Sequence, residues 1–239
     1  MKKLLSAIAC IAILCGFAPW ETITGNGNMK KESREMSGFT GISLAGNMNL
    51  DIDYGKSSTI TIEADENLLP YIETEVKEGM LIIKAKNNAN LKTKGILIVH
   101  ASLTKLTDLK LSGSGNIKGK GAFSNEGKTN ISLSGSGNIN LTAKSFGETS
   151  ISISGSGNIT LEDGSTETLE AKISGSGNID CSSFVCNNAN AKISGSGNIK
   201  VNANKSIDGG VSGSGNVYYK GNATNLNMKS HGSGKIKKM

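Results

Sequence analysis

The sequence predicts an all-β fold, a β-solenoid or β-helix wound in coils of about 20 residues. Three observations predict it. The pentapeptide GSGNI begins at Gly113, Gly135, Gly155, Gly175 and Gly195, followed by GSGNV at Gly213 and GSGKI at Gly232. The steps between successive first glycines are 22, 20, 20, 20, 18 and 19 residues, too short for the helix pairs of α-solenoids and suited to two short strands with two turns. On both sides of each turn, apolar and polar residues alternate.

The strands follow from that alternation. Around Gly155 the chain reads Ile151, Ser152, Ile153, Ser154 before the turn and Asn158, Ile159, Thr160, Leu161 after it. The same pattern sets Leu109 and Leu111 beside Ile117, Ile131 and Leu133 beside Ile139 and Leu141, and Leu169, Ala171 and Ile173 beside Ile179 and Cys181. Stacking turns these into apolar columns.

The tight GSG turns between sheets use glycine for backbone shape. A sharp passage from one sheet to the next calls for φ > 0, and the pairs Gly113/Gly115, Gly135/Gly137, Gly155/Gly157, Gly175/Gly177, Gly195/Gly197 and Gly213/Gly215 are read as supplying it twice per turn. The middle serine can satisfy local backbone groups. Asn116, Asn138, Asn158, Asn178, Asn198 and Asn216 then fall in register, and identical amides at a strand spacing of roughly 4.8 Å can bond as a ladder. The competing reading is a glycine row that cradles a ligand. A phosphate loop, however, is one loop before one helix with a fixed lysine, and seven equivalent loops without helical pattern do not match it. At the last turn Asn gives way to Lys235, with Lys237 and Lys238 following, charges that resist a further strand.

Residues 1–18 read as a signal peptide, with Lys2 and Lys3 before an almost wholly apolar run from Leu4 to Phe17. The protein is therefore expected to be exported to the periplasm, the outer surface or the medium, with no transmembrane helix in the mature chain. A lipid anchor on Cys15 is disfavoured by Leu14, where a lipoprotein signal wants a small residue. Residues 19–239 are expected to form a single β-solenoid domain, with irregular coils and a cap over 19–107 and regular coils over 108–239. About 210 residues at twenty per coil would stack about ten coils. Modest apolar content, 36%, with 31 glycines and two prolines, suits a thin core.

The irregular part carries echoes of the repeat. Gly25-Asn26-Gly27-Asn28-Met29 resembles GSGNI, and Gly46-Asn47-Met48-Asn49-Leu50 its second half, so the array is expected to start early. Between them Lys30, Lys31, Glu32, Arg34 and Glu35 read as solvated surface. Strands are expected around Ile52, Thr59–Ile62, Val76 and Leu81–Ile83. Asp65 to Tyr71, with Pro70, reads as one short helix that helps to cover the apolar end of the stack.

Candidate chemistry is sparse. Only Cys181 and Cys186 remain in the mature chain; Cys181 takes an inward strand position, and a disulfide between the two stays open. With His100 and His231 alone, neither a closed zinc site nor a nucleophilic triad is supported. Asp51 and Asp53, on one strand face near Glu63, Asp65 and Glu66, are the remaining carboxylate candidates, and on an exposed strand such groups are usually just solvated. No catalytic, cofactor-binding or metal-ligating residue is assigned. The net charge of +6 falls to +4 without Lys2 and Lys3, and from residue 170 onward nine lysines face three acids, a flank suited to acidic glycans or envelope lipids. Nucleic acid is a poor partner, since aromatic stacking residues are scarce. Phe123, Phe146 and Phe184 are expected to cap the core as an aromatic stack.

The signal peptide, the segment Phe39-Thr40-Gly41-Ile42-Ser43-Leu44, the stretch Glu73-Thr74-Glu75-Val76-Lys77-Glu78-Gly79-Met80-Leu81-Ile82-Ile83 and the tail of SGSGNI units together resemble the head GIN domain family, over about residues 22–236. The resemblance implies an exported bacterial β-helix of the kind described as autotransporter-type adhesins, without an established catalytic set. It transfers no functional residues. Two function classes follow: a non-enzymatic envelope or surface protein that adheres to a surface or glycan ligand, alone or as a homo-oligomer, and a carbohydrate-binding or polysaccharide-lyase-like β-helix.

Overall fold

A computed structural model describes residues 21–56, 59–86 and 89–239. The segment read as a signal peptide, with Cys15, lies outside the described residues. The described chain is almost entirely β, in stacked coils of about seven turns at about twenty residues each.

Two parallel ladders run along the stack, one on each side of the glycine corner. Ahead of the corner, Met80–Ala85 pairs with Gly41–Gly46, which pairs with Asp108–Gly113; the ladder then continues through Ser124–Gly135, Ser145–Gly155, Ser165–Gly175 and the later coils to Asn225–His231. Behind the corner, Ile98–Leu103, Asn49–Tyr54, Asn116–Lys120, Asn138–Thr142 and Asn158–Glu162 stack in turn, down to Lys235–Lys238. Register is strict because a slip of one residue would turn every apolar side chain outward. Ile151, Ile153, Ile159 and Leu161, and their equivalents as far as Ala191, Ile193, Ile199 and Val201, are accordingly buried. Each contributes about 2 kcal/mol relative to exposure. A third run of two residues closes each coil: Asn125, Phe146, Thr166, Cys186 and Ala203 follow one another inward along it.

The first hundred residues depart from the expected winding. Gly25–Met29 is no coil of the array, because Met29–Glu35 runs antiparallel to Thr59–Asp65, which in turn runs antiparallel to Ile98–Leu103. Gly46 to Leu50 is a whole turn and not half of one: Gly46 pairs with Gly113 and Asn49 with Asn116, across 67 residues. The chain between extends both ladders on the far side of Gly41–Tyr54 with Met80–Ala85 and Ile98–Leu103, adds the antiparallel strands Thr59–Asp65 and Ile72–Lys77 at their outer edges, and returns at Asp108 to resume beside the coil it left. Fewer turns than ten result.

The edge is sealed by polar staples. Arg34, in the stretch read from sequence as solvated surface, donates to the carbonyls of Ile72 (2.6 Å) and Leu69 (3.1 Å) and to Thr74 Oγ1 (3.0 Å). Glu32, two residues earlier on the same strand, holds the guanidinium at 2.6 Å. The expected helix is a single 3-10 turn, Leu69–Tyr71, with Pro70 supplying the fixed φ of its start. Asp65 is fully buried and accepts from Gly27 N (2.6 Å), Thr93 Oγ1 (2.6 Å) and Lys94 N (3.1 Å), tying together two loops distant in sequence. The Thr93 hydroxyl first, and these backbone amides with it, hold its carboxyl below the usual range.

The phenylalanines are buried in two separate pairs and not in one stack. Phe123 meets Tyr54 edge-on, with ring centroids 5.9 Å apart, and Phe146 meets Phe184 at 6.1 Å. Gly119 makes room at this point: a Cβ there would lie 2.4 Å from Leu141 Cδ1 and 3.6 Å from Phe123.

Candidate functional site

The repeated turn combines two different demands on glycine. The first glycine of each regular turn has φ between about 121° and 131°, as at Gly113, Gly135, Gly155, Gly175, Gly195, Gly213 and Gly232. The second glycine does not share that conformation, contrary to the expectation of two such positions per turn. What it lacks is room. A Cβ on Gly137, Gly157, Gly177 or Gly215 would lie 2.2 Å from the carbonyl oxygen of its counterpart one coil back; on Gly197 the distance is 2.0 Å, and on Gly115 the Met48 oxygen is 1.9 Å away.

These turns use their own amides. Ser136 N and Gly137 N both donate to Gly113 O, at 3.0 and 3.1 Å, and Asn138 N donates to Gly115 O at 3.2 Å; the pattern repeats at Ser156, Gly157 and Asn158. The N–H groups that a cradled phosphate would need are thus bonded to the neighbouring coil. Beside them the amides join hand to hand. Nδ2 of Asn116, Asn138, Asn158, Asn178, Asn198 and Asn216 donates to Oδ1 of the preceding member, Asn49 being the first, at 2.8 to 3.0 Å. The last oxygen, on Asn216, accepts from Lys235 N at 3.2 Å.

Other candidates are separated or occupied. Asp51 and Asp53 stand in register between His100 and Ser102 on one side and Lys118 and Lys120 on the other. Glu63 pairs with Lys31 at 3.1 Å and Glu66 with Lys30 at 2.8 Å, while Asp65 is buried in its staple. Among the described residues no group of three or more His, Cys, Asp or Glu side chains is placed to hold a metal ion. Cys181 and Cys186 are free, buried thiols. Burial pushes both thiols up, Cys186 to about 12, and Cys186 Sγ donates to Asn202 O at 3.3 Å. Such thiols are poor nucleophiles.

What faces outward in quantity is the sheet ahead of the corner. Ser112, Ser134, Ser154, Ser174, Ser194 and Ser212 form one unbroken column, fixed by the residue before each GSG. The next outward column reads Ser43, Lys110, Ser132, Ser152, Lys172, Lys192, Gly210, Lys229. From Ser43 to Ser194 the two columns line a shallow trough of about 660 Å³ across several coils. Lys172 is paired with Glu170, whose carboxyl that contact holds below its ordinary range. On the other sheet Asp180 meets Lys200 at 2.8 Å; burial opposes its ionisation, and the hydrogen bonds from Lys200 and Ser182 outweigh it. The alternating serines before each corner were visible in the sequence, but their assembly into one face depends on exact stacking. Among the described residues no helix is long and apolar enough to cross a membrane.

Solved structures share this architecture. A crystal structure from Bacteroides fragilis described as a putative adhesin superposes with a TM-score of 0.83 at 21% identity, covering 91% of this chain and all of that one. Another so described, from Parabacteroides merdae, gives 0.71 at 24% identity, covering 91% of this chain and 99% of that one. One from Parabacteroides distasonis described as a putative lipid binding protein gives 0.76 at 26% identity, covering 92% of this chain and all of that one. No curated protein matches the sequence. The family model described as "Putative auto-transporter adhesin, head GIN domain" matches residues 38–223, more than half of the chain, and to that family this protein belongs.

Proposed function

We propose that the chain is an exported, non-enzymatic surface protein whose solenoid presents a rigid polar face for adhesion to a surface or glycan ligand. The observation that carries this reading is the serine column. Six hydroxyls at the strand spacing, beside lysines, give an extended and nearly flat row of donors and acceptors that can lie along a polar polymer. A solenoid suits the task because its face is held by backbone ladders and needs no ordering on binding. The lipid-binding description of the Parabacteroides distasonis structure is not carried over, since the inward columns are filled with Ile, Leu, Val and Phe side chains. Two arms test the reading. Protease added to intact producing cells should degrade the chain, and protection until the outer membrane is opened would defeat surface adhesion. Beads coated with the chain should adhere to glycan-bearing cells, and Ser154→Arg, placed mid-column, should cut adherence several-fold without changing circular dichroism; undiminished adherence rejects the face.

A further inference from the structure

Gly210 is a glycine that the backbone does not require. It has no positive φ, and a Cβ built on it would meet only Lys192 Cγ, at an ordinary 3.9 Å. Every other position of its outward column from Ser43 to Lys229 carries serine or lysine. The position lies in an open hollow, a notch of about 500 Å³ in the face, which the absent side chain leaves unobstructed. Lys192 and Lys229 flank it, in register on either side of Gly210 and therefore about 10 Å apart at the backbone. His231 and Ser212 line one border. The opposite border offers acceptors: Asp208, which already takes Asn227 Nδ2 at 2.9 Å, and Asn190, whose Oδ1 is buried without a hydrogen-bond partner.

We infer that this notch binds an acidic sugar residue, its anionic group held between Lys192 and Lys229 and its hydroxyls donating to Asn190 and Asp208. The donor and acceptor sides select the chemistry. Two ammonium groups call for an anion, whereas a carboxylate and an orphaned amide oxygen call for hydroxyl donors that a simple anion lacks. A buried acceptor left unpaired is costly, so a ligand that supplies its hydrogen gains accordingly. The inference rests on the outward face being the working surface and adds to it a ligand class and a place.

Titration calorimetry of the purified chain with oligomers of galacturonate and of sialic acid should show binding to at least one, with maltotriose and inorganic phosphate at least tenfold weaker. Lys192→Gln combined with Lys229→Gln should lose about tenfold, and more at low salt. Gly210→Leu, which fills the notch, should lose as much with an unchanged thermal midpoint. Absence of binding to both acidic oligomers overturns the site, as does binding by either variant that equals that of the parent chain. Phosphate binding as tightly as the oligomers overturns the sugar assignment. Bead adherence through Ser154 is a separate readout: beads that adhere while the chain ignores acidic oligomers reject the notch alone, and the converse result rejects the serine face alone.

Discussion

The regular coils and the N-terminal cap solve one problem, the pairing of backbone and burial of an apolar edge, by opposite means. In the coils each interaction is copied: a carbonyl beneath each second glycine, an amide beside each amide, an isoleucine over an isoleucine. In the cap nothing recurs. One buried carboxylate, Asp65, and one guanidinium, Arg34, gather segments about 30 to 40 residues apart, and Met29–Glu35 and Thr59–Asp65 run antiparallel. Repetition makes a long stack from weak, local terms, but it leaves an edge at each end, and only unrepeated residues can close one.

Gly46 and Gly175 give the sharpest test of that contrast, since both are the first glycine of their turn. Gly46, at the cap side, has φ +105 and nothing within 4 Å of a built Cβ, whereas Gly175, at φ +129, would put its Cβ 2.4 Å from Gly155 O. Gly175→Ala should cost more than about 4 kcal/mol, from backbone strain plus a clash with a carbonyl that cannot yield, and Gly46→Ala only about 1–2 kcal/mol. Denaturant unfolding reads both, and equal costs would mean that stacking adds nothing to the turn.

The next effect in size separates the two regions by pH. The folded carboxyl of Asp65 is held below its ordinary value, so its contribution is present above the unfolded pKa of about 4 and is lost as pH falls through the folded value. The amide ladder is neutral and does not titrate. Hydrogen exchange in Met29–Glu35 and around Thr93 should therefore speed up on acidification before exchange in the regular coils does, and Asp65→Asn should show fast cap exchange already at pH 6. Identical acid sensitivity in that variant and the parent chain would remove Asp65 as the cause.

The smallest effect belongs to one rung of the ladder. Asn158→Ala removes a donor to Asn138 and an acceptor for Asn178, at a cost of about 1 kcal/mol because Asn138 is only partly buried and Asn178 is exposed. Thermal unfolding that shows no loss would make the row a by-product of register.

The coils were legible because their signals are local. Alternation around GSG named the inward residues, and a twenty-residue period set their neighbours, so Ile131 over Ile151 over Ala171 follows from spacing alone. The second glycine was legible as a glycine, and its reason was not: φ is a property of a residue, whereas the 2.2 Å approach of Gly157 O to a Cβ on Gly177 belongs to two coils. The carboxylates illustrate the same limit. Asp51, Asp53, Glu63, Asp65 and Glu66 cluster in sequence, yet lysines take two of them and the interior takes a third.

By itself the sequence determined the all-β class, the coil period and, within the regular coils, the position of the GSG corners and the facing of the strand residues beside them, because all of these depend on contacts within one coil or on its copy one period away. The tertiary structure alone decided that Gly46 and Gly113 are neighbours, that the chain between them extends both ladders on the far side of Gly41–Tyr54, and that Gly210 leaves a gap between two lysines. Those outcomes depend on which coil lies against which, and antiparallel return strands, unlike stacked repeats, carry no periodic mark of their partners.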